Sequence, residues 1–233
     1  MKRRVNGSST YAVDTKFGSN NTVLTYDDGP EPTRTIEVLE ALAEYGATAT
    51  FFVLLSRTRL NPSLVGEILS QGHEIALHGI DHRSLIGMHE VEVFERTFRA
   101  KLELEELIDQ PVRWFRPPYG HQTLESWYGI VTAGLTPVMW NVQCGDWVDA
   151  INEDYEQYLA EVREITKPGS IILAHDNCAS KQDGAQDLEV PKFSTGKLAR
   201  LILEINRVKG FSCSSLGGAL ENGRLLRKPW FQG

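Results

Sequence analysis

The sequence is poor in the features that mark several large classes of protein. It has three cysteines, Cys144, Cys178 and Cys213, too few and too widely spaced for a disulfide framework or a zinc-type cysteine cluster. Small buried or rim thiols are the ordinary reading, although Cys144 and Cys178 fall near residues singled out below, which leaves a reactive thiol open. The longest uncharged apolar run, "ATATFFVLLS", spans 10 residues, where a membrane-crossing helix needs about 20. Base is not in excess. Lys and Arg number 24 against 31 Asp and Glu, a net charge of −7, which argues against a globally basic nucleic-acid or anionic-membrane surface. The opening "MKRRVNGSSTYAV" carries basic residues but no apolar h-region, so no signal peptide is read in it. As written the chain is expected in the cytoplasm, and outside the cell if a leader precedes it. Sequence repeats and low-complexity tracts are also missing.

What is present is enough apolar residue, 41% of 233, to bury one large core. Short apolar runs alternate with longer periodic ones. The spacing predicts strands at 21–27, 47–54, 73–78, 112–116, 135–142, 170–175 and 210–216. Helices are predicted between them. One covers 32–45, opening with Pro32 and stopping at Gly46, and the next is capped by Asn61, has Pro62 in its first turn and stops at Gly72. Others cover 89–109, 123–133, 152–166 and 196–208. Seven strand–helix units imply parallel strands with right-handed crossovers, in a closed or nearly closed barrel, with an open doubly wound sheet as the competing arrangement. The expected organisation is an N-terminal extension at 1–20, a single α/β domain over 21–220 and a C-terminal tail at 221–233 that packs Trp230 or Phe231 against it. The stretch 176–193 is the one long loop.

The unusual polar residues gather at the predicted strand ends. Asp27 and Asp28 close the first strand in "TYDDGP", His78 closes the third with His82 four residues on, and "RPPYG" (116–120) closes the fourth. "GDW" (145–147) follows the fifth, and His175–Asp176 ends the sixth. The carboxyl ends of parallel strands share one rim, where α/β sites are built. Each piece alone has a bland explanation. An HxxxH pair is more often two satisfied histidines than a metal pair, Asp-Asp-Gly-Pro is usually a turn, and Pro-Pro is a rigid loop. His73 sits at a strand start and reads as structural, and His89 and His121 read as surface residues. Together on one rim, Asp28, His78 and His82 form a two-histidine, one-carboxylate set that suits catalytic zinc or non-haem iron.

The five motifs "TYDDGP", "HGIDHRS", "RPPYG", "GDW" and "ILAHD", with "GATATFFV", "SQGHEIALHGIDH" and "KPGSIILAHD" around them, resemble the NodB-like polysaccharide deacetylases, carbohydrate esterase family four. The resemblance covers about residues 21–220 and implies a distorted (β/α)₇ barrel. By motif position it implies Asp27 as catalytic base, Asp28, His78 and His82 as metal ligands, and Arg116 as the residue orienting Asp27. Tyr119 would offer its backbone N–H to the oxyanion. Asp146 would orient His175, the general acid, and Trp147 and Leu173, with Pro118 beside them, would wall the acetyl pocket. The implied reaction is removal of N-acetyl groups from an acetamido-sugar glycan of the chitin oligosaccharide or peptidoglycan type. O-acetyl esterase action on xylan-like glycans, or hydrolysis of another non-peptide C–N bond, uses the same residues. Zinc is the expected metal, with cobalt, nickel, iron and manganese compatible, and an acetylated carbohydrate is the expected partner. An iron oxygenase would need neither Asp27, Arg116 nor His175, and a sugar-binding module would need no acid or base. Three departures stand out: Gly79 replaces a Ser or Thr, Asp81 brings an extra charge before His82, and Gln143 replaces an acid.

Overall fold

The computed structural model describes residues 8–15, 20–146, 159–186 and 194–231. In chain order these form β1 (Ser9–Thr15), β2 (Asn21–Asp27), α1 (Arg34–Glu44), β3 (Thr50–Leu54), α2 (Leu55–Leu60), α3 (Pro62–Ser70), β4 (Glu74–Gly79), α4 (Glu90–Ile108) and β5 (Trp114–Phe115). They continue with α5 (Leu124–Thr132), β6 (Thr136–Pro137), β7 (Val142–Gln143), β8 (Ile171–His175), α6 (Thr195–Val208), β9 (Ser212–Ser214), α7 (Leu216–Leu220) and β10 (Gly223–Lys228). A further helical stretch covers 159–165, the described part of the helix predicted at 152–166.

The strands pair in parallel in the order β6-β5-β4-β3-β2-β8-β7, with β9 alongside the first half of β2. This is a curled α/β sheet with helices outside it, in one domain, the distorted (β/α)₇ architecture. The central strands are buried on both faces, as parallel sheets covered by helices require. Val23, Phe51, Phe52, Leu77, Ile171 and Ile172 are all inaccessible to solvent. A large apolar cluster lies between sheet and helices, and a smaller one of Val23, Phe52, Ala76, Trp114, Val138, Ile171 and Leu216 fills the inside of the curl.

Helix ends follow the local chemistry, with one departure at Asn61. Gly46 takes a positive φ of 60° just beyond α1, and the Glu31 carboxylate accepts from the Thr33 and Arg34 N–H groups at its start (2.9 and 2.7 Å). Thr123 and Ser126 form a reciprocal capping box on α5. Asn61 does not cap α3 through its side chain. Its amide donates instead to the Arg57 carbonyl (3.1 Å) and closes α2, a short helix between the strand predicted at 47–54 and the helix predicted from Asn61.

The strand predicted at 135–142 is broken. Thr136–Pro137 pairs with β5 and Val142–Gln143 with β8, so one stretch of chain reaches both edges of the curl. Between them Val138 bridges Thr10, and the Met139 N–H donates to the Thr10 carbonyl (2.7 Å). The Val138 and Met139 carbonyls turn to the Arg116 guanidinium (3.1 and 3.2 Å). A backbone that satisfies a buried cation cannot also run an unbroken ladder. β1 pairs antiparallel with β10, so the segments at the two chain ends form one ribbon against the domain.

Candidate active site

Strand register brings the polar residues together. Asp27 lies level with Phe52 on β3 and with His175 on β8. His78 lies near the end of β4, and Arg116 follows β5 with its N–H on the Leu77 carbonyl (3.0 Å). These ends border a cleft of about 530 Å³ whose wall includes Asp27, Asp28, His78, His82, Leu173 and His175.

Alternation along a strand would send two adjacent acids to opposite faces. Here Asp28 has a φ of 76°, in the left-handed region that Asp tolerates better than most residues. That twist lets both carboxylates approach one imidazole, with His78 Nε2 at 3.8 Å from Asp27 Oδ2 and 3.4 Å from Asp28 Oδ1. Their mutual repulsion is answered by different partners. Arg116 donates to Asp27 Oδ1 (2.7 Å) and Thr25 Oγ1 (2.8 Å), and its fully buried guanidinium lies 4.1 Å from the centre of the Phe52 ring. With four acceptors taking four of its five N–H donors, a buried Arg–Asp pair is tenable.

Asp28 belongs to the other cluster. His78 and His82 each bring Nε2 to 3.4 Å from its Oδ1, and one donor atom from each of the three residues lies within 4.8 Å of the others. His78 donates Nδ1–H to the Arg116 carbonyl (2.8 Å), which leaves Nε2 with its lone pair facing the acid. Asp28 Oδ1 is buried without a hydrogen-bond partner. An unpartnered carboxylate oxygen 3.4 Å from two imidazole nitrogens is what a divalent cation would satisfy, so the residues fit a metal. Burial works against the Asp28 carboxylate, yet His82, His78 and His175 hold it well below the usual range. Burial also lowers the pKa of His82, which favours the neutral ring a ligand needs.

Across the cleft His175 is gripped by Asp146, one carboxylate oxygen accepting from Nδ1 (2.7 Å) and the other from the His175 backbone N–H (2.6 Å). Burial opposes charge on this imidazole, but the adjacent Asp146 outweighs it and raises the pKa to about 10. Tyr119 has a φ of 62°, and its ring meets His82 edge-on at 4.3 Å. Leu173 lines the cleft, whereas Pro118 is buried and lines a separate small crevice with Ile80, Leu85 and Phe115, so Pro118 is not part of the described cleft wall. Trp147 lies outside the described residues.

The three departures have local explanations. Gly79 has a φ of 122°, and a Cβ there would stand 2.8 Å from the Asp81 carbonyl, so this turn requires glycine. Asp81 is no loose charge beside His82, because its carboxylate is taken up by Arg83 (2.6 Å) and Arg96 (2.9 Å). Gln143 accepts from the Trp140 indole N–H (3.2 Å). His73 is structural: its Nδ1 accepts from the Ala49 N–H (3.3 Å), and burial lowers its pKa to about 4. Burial likewise pushes the Cys178 thiol up to about 11 and raises that of Cys144, so neither is primed as a nucleophile.

The sequence places Asp176 on the rim without assigning it a role, and it does not mark several other supporting residues. Asp176 accepts from the Gly29 N–H (3.1 Å) and the Thr35 hydroxyl (2.6 Å), and burial raises its pKa to about 7. A Cβ on Gly29 would stand 2.0 Å from its Oδ2, so glycine in "DDGP" is required by an acid 147 residues away, next to His175. Arg57 forks onto both oxygens of Asp183 (3.0 and 2.6 Å) and reaches the Cys178 carbonyl (3.2 Å). That strap holds the start of the long loop on the site, where the Ala179 N–H donates to Asp28 Oδ2 (3.0 Å) and the Asp183 carbonyl accepts from the His82 N–H (2.7 Å). His121, read as a surface residue, lines the cleft with Nδ1 3.3 Å from Ser84 Oγ. Only the adjacency of Asp176 to His175 could have marked any of these.

The family model for polysaccharide deacetylases matches residues 14–138. The chain is 35% identical over 204 residues to a chitooligosaccharide deacetylase of Sinorhizobium fredii, covering 85% of this chain and 91% of that one. It is 34% identical over 153 residues to a peptidoglycan-N-acetylglucosamine deacetylase of Bacillus cereus, covering 66% and 71%. In fold it is similar to a family 4 carbohydrate esterase from Streptomyces lividans in complex with acetate, with a TM-score of 0.70, 24% identity and coverage of 88% and 96%. A family model spanning more than half of the chain, and relatives this similar over most of it, place one conclusion beyond the motifs: the chain belongs to the polysaccharide deacetylases, the NodB-like hydrolases of carbohydrate esterase family four.

Proposed function

We propose that this deacetylase removes the N-acetyl group from an acetamido-sugar glycan of the chitin oligosaccharide or peptidoglycan type, the substrates named for the relatives from Sinorhizobium fredii and Bacillus cereus. The observation that carries this reading is the division of the acidic pair, Asp27 on Arg116 (2.7 Å) and Asp28 on two imidazoles (3.4 Å each), opposite a His175–Asp146 pair.

Asp28, His78 and His82 would hold the metal, with zinc favoured by the donor set and cobalt, nickel, iron and manganese compatible. A divalent ion there supplies Lewis acidity, polarising the acetyl carbonyl and acidifying the attacking water. Asp27, oriented by Arg116, takes the proton as that water attacks. The backbone N–H of Tyr119, a residue in left-handed conformation, would donate to the oxyanion that develops on the acetyl group, a contribution on the order of 3 kcal/mol. His175 delivers a proton to the departing nitrogen, and Asp146 stabilises the imidazolium that does so. Leu173 excludes water beside the acetyl methyl, with Trp147 assigned to the same wall by its motif.

An amine leaves only when protonated, whereas an alkoxide from an ester needs less help. His175, held by Asp146 (2.7 Å), is placed to supply that proton, and the relatives named as N-acetylglucosamine and chitooligosaccharide deacetylases put the amide ahead of the O-acetyl ester. The test is acetate release from N-acetylglucosamine oligomers, peptidoglycan and acetylated xylan, with and without chelator. Release from either of the first two, abolished by chelator and restored by zinc, is expected. Release from acetylated xylan alone, or release unaffected by chelator, would overturn the proposal.

A further inference from the structure

Beside the acid–base and metal clusters, the cleft has an aromatic wall that the reaction does not use. Trp140 lines it, half-buried, and its indole is fixed by several neighbours. Its N–H donates to Gln143 Oε1 (3.2 Å), and the Arg116 guanidinium lies 5.7 Å from its ring centre. Its Cη2 sits where Gly120 has no side chain, since a Cβ there would be 2.5 Å away. Gly120 itself has a φ of 65°, so backbone conformation and close approach both hold that position to glycine.

The fourth neighbour comes from the end of the chain. Trp230 stacks at a tilt against Trp140, with ring centres 5.5 Å apart. It is pinned in place by an indole N–H to the Gly120 carbonyl (3.3 Å) and by the buried Gln122 amide to its own carbonyl (2.8 Å). Gln122 also binds Ser9 (2.8 Å), so the β1–β10 ribbon anchors the tail to the turn that carries Tyr119. The Lys228 ammonium lies 5.1 Å from the Trp230 ring centre.

Trp140 in the cleft wall, with Trp230 packed against it from behind the Gly120 turn, forms a pre-organised apolar surface with polar edges. The C–H face of a β-linked pyranose has that complement: flat, apolar, and ringed by equatorial hydroxyls. His121 and Gln143 bring polar groups to the same wall. We propose that Trp140 and Trp230 form a subsite for a neighbouring sugar of the oligosaccharide, so that the C-terminal tail contributes to selection of substrate length. This rests on the deacetylase reading above for the identity of the glycan.

The experiment has two arms. In the first, the zinc-loaded protein and its Trp230→Ala, Trp230→Tyr and Trp140→Ala variants are titrated calorimetrically with the β-1,4-linked glucosamine pentamer, which carries no acetyl group to lose. In the second, acetate release from the acetylated dimer and pentamer is followed. Loss of one stacked ring should weaken pentamer binding, and raise its KM, about tenfold. The loss should be smaller on the dimer, and Trp230→Tyr should recover most of it. Wild-type-like pentamer binding by both alanine variants, no binding by the parent protein, or an equal loss on dimer and pentamer would overturn the subsite. Failure to release acetate from these oligomers and from peptidoglycan would instead refute the functional reading, and the calorimetric arm would still decide the subsite.

Discussion

Asp146→Asn is the substitution that interrogates the acid most sharply. Both carboxylate oxygens of Asp146 accept hydrogen bonds from His175, one from Nδ1 (2.7 Å) and one from the backbone N–H (2.6 Å). An amide has one acceptor and one donor, so one contact becomes donor against donor while the charge is lost as well. The imidazole, raised to about 10 by Asp146 against the pull of burial, should fall to its ordinary 6.5 or lower. At pH 8.5 an imidazole with a pKa of 10 is about 97% protonated and one at 6.5 about 1%. Turnover at pH 8.5 should therefore drop roughly a hundredfold more than turnover at pH 5.5. The sign for stability follows from the same shift. A pKa raised in the folded protein stabilises it fully below the unfolded value and ceases to do so as pH rises through about 10. Asp146→Asn should thus cost most stability below about pH 6.5, progressively less as pH rises towards 10, and nothing by this route above it. Acetate release across pH 5 to 10, with melting curves at each end, measures both. An unmoved alkaline limb, or the same fractional loss at every pH, would refute the reasoning.

Two further predictions concern the supports of the site. Gly29→Ala would place a methyl against the buried Asp176 carboxylate, 2.0 Å from Oδ2, and Asp176 is held by Thr35. A loss of about 1–3 kcal/mol in chemical denaturation is expected, and unchanged stability would show that the 27–30 turn can give way. Arg57→Ala removes the fork on Asp183 and the bond to the Cys178 carbonyl, releasing the loop that reaches Asp28 and His82. Zinc affinity measured against a competing chelator should fall about tenfold, and wild-type affinity would separate the strap from the metal site.

How much of this was legible follows from how local the information is. Strands such as 21–27 and 170–175 are visible because parallel strands buried on both faces read as unbroken apolar runs. The strand predicted at 135–142 failed because its break is caused from far away, by Thr10 and by Arg116 drawing the Val138 and Met139 carbonyls out of the ladder. The two acids, the histidines and Arg116 could be collected because each follows a strand and the parallel topology gives them one rim. Asp176 and Arg57 could not be assigned, since their partners, Gly29 and Asp183, lie 147 and 126 residues away with no periodicity to connect them. The tail was expected to pack an aromatic residue, but its target depends on Gly120 leaving room for Trp140. Asp81 read as a free charge because neither Arg83 nor Arg96 has a spacing that announces an ion pair in a loop.

The central claim is that adjacent carboxylates have separate duties, Asp27 as base and Asp28 as metal ligand. Elemental analysis of purified Asp27→Asn and Asp28→Ala, alongside acetate release by each, tests it in one comparison. Asp27→Asn should retain stoichiometric zinc and lose most turnover, whereas Asp28→Ala should lose zinc and activity together. Stoichiometric zinc in both variants, or near wild-type turnover in Asp27→Asn, would contradict the account.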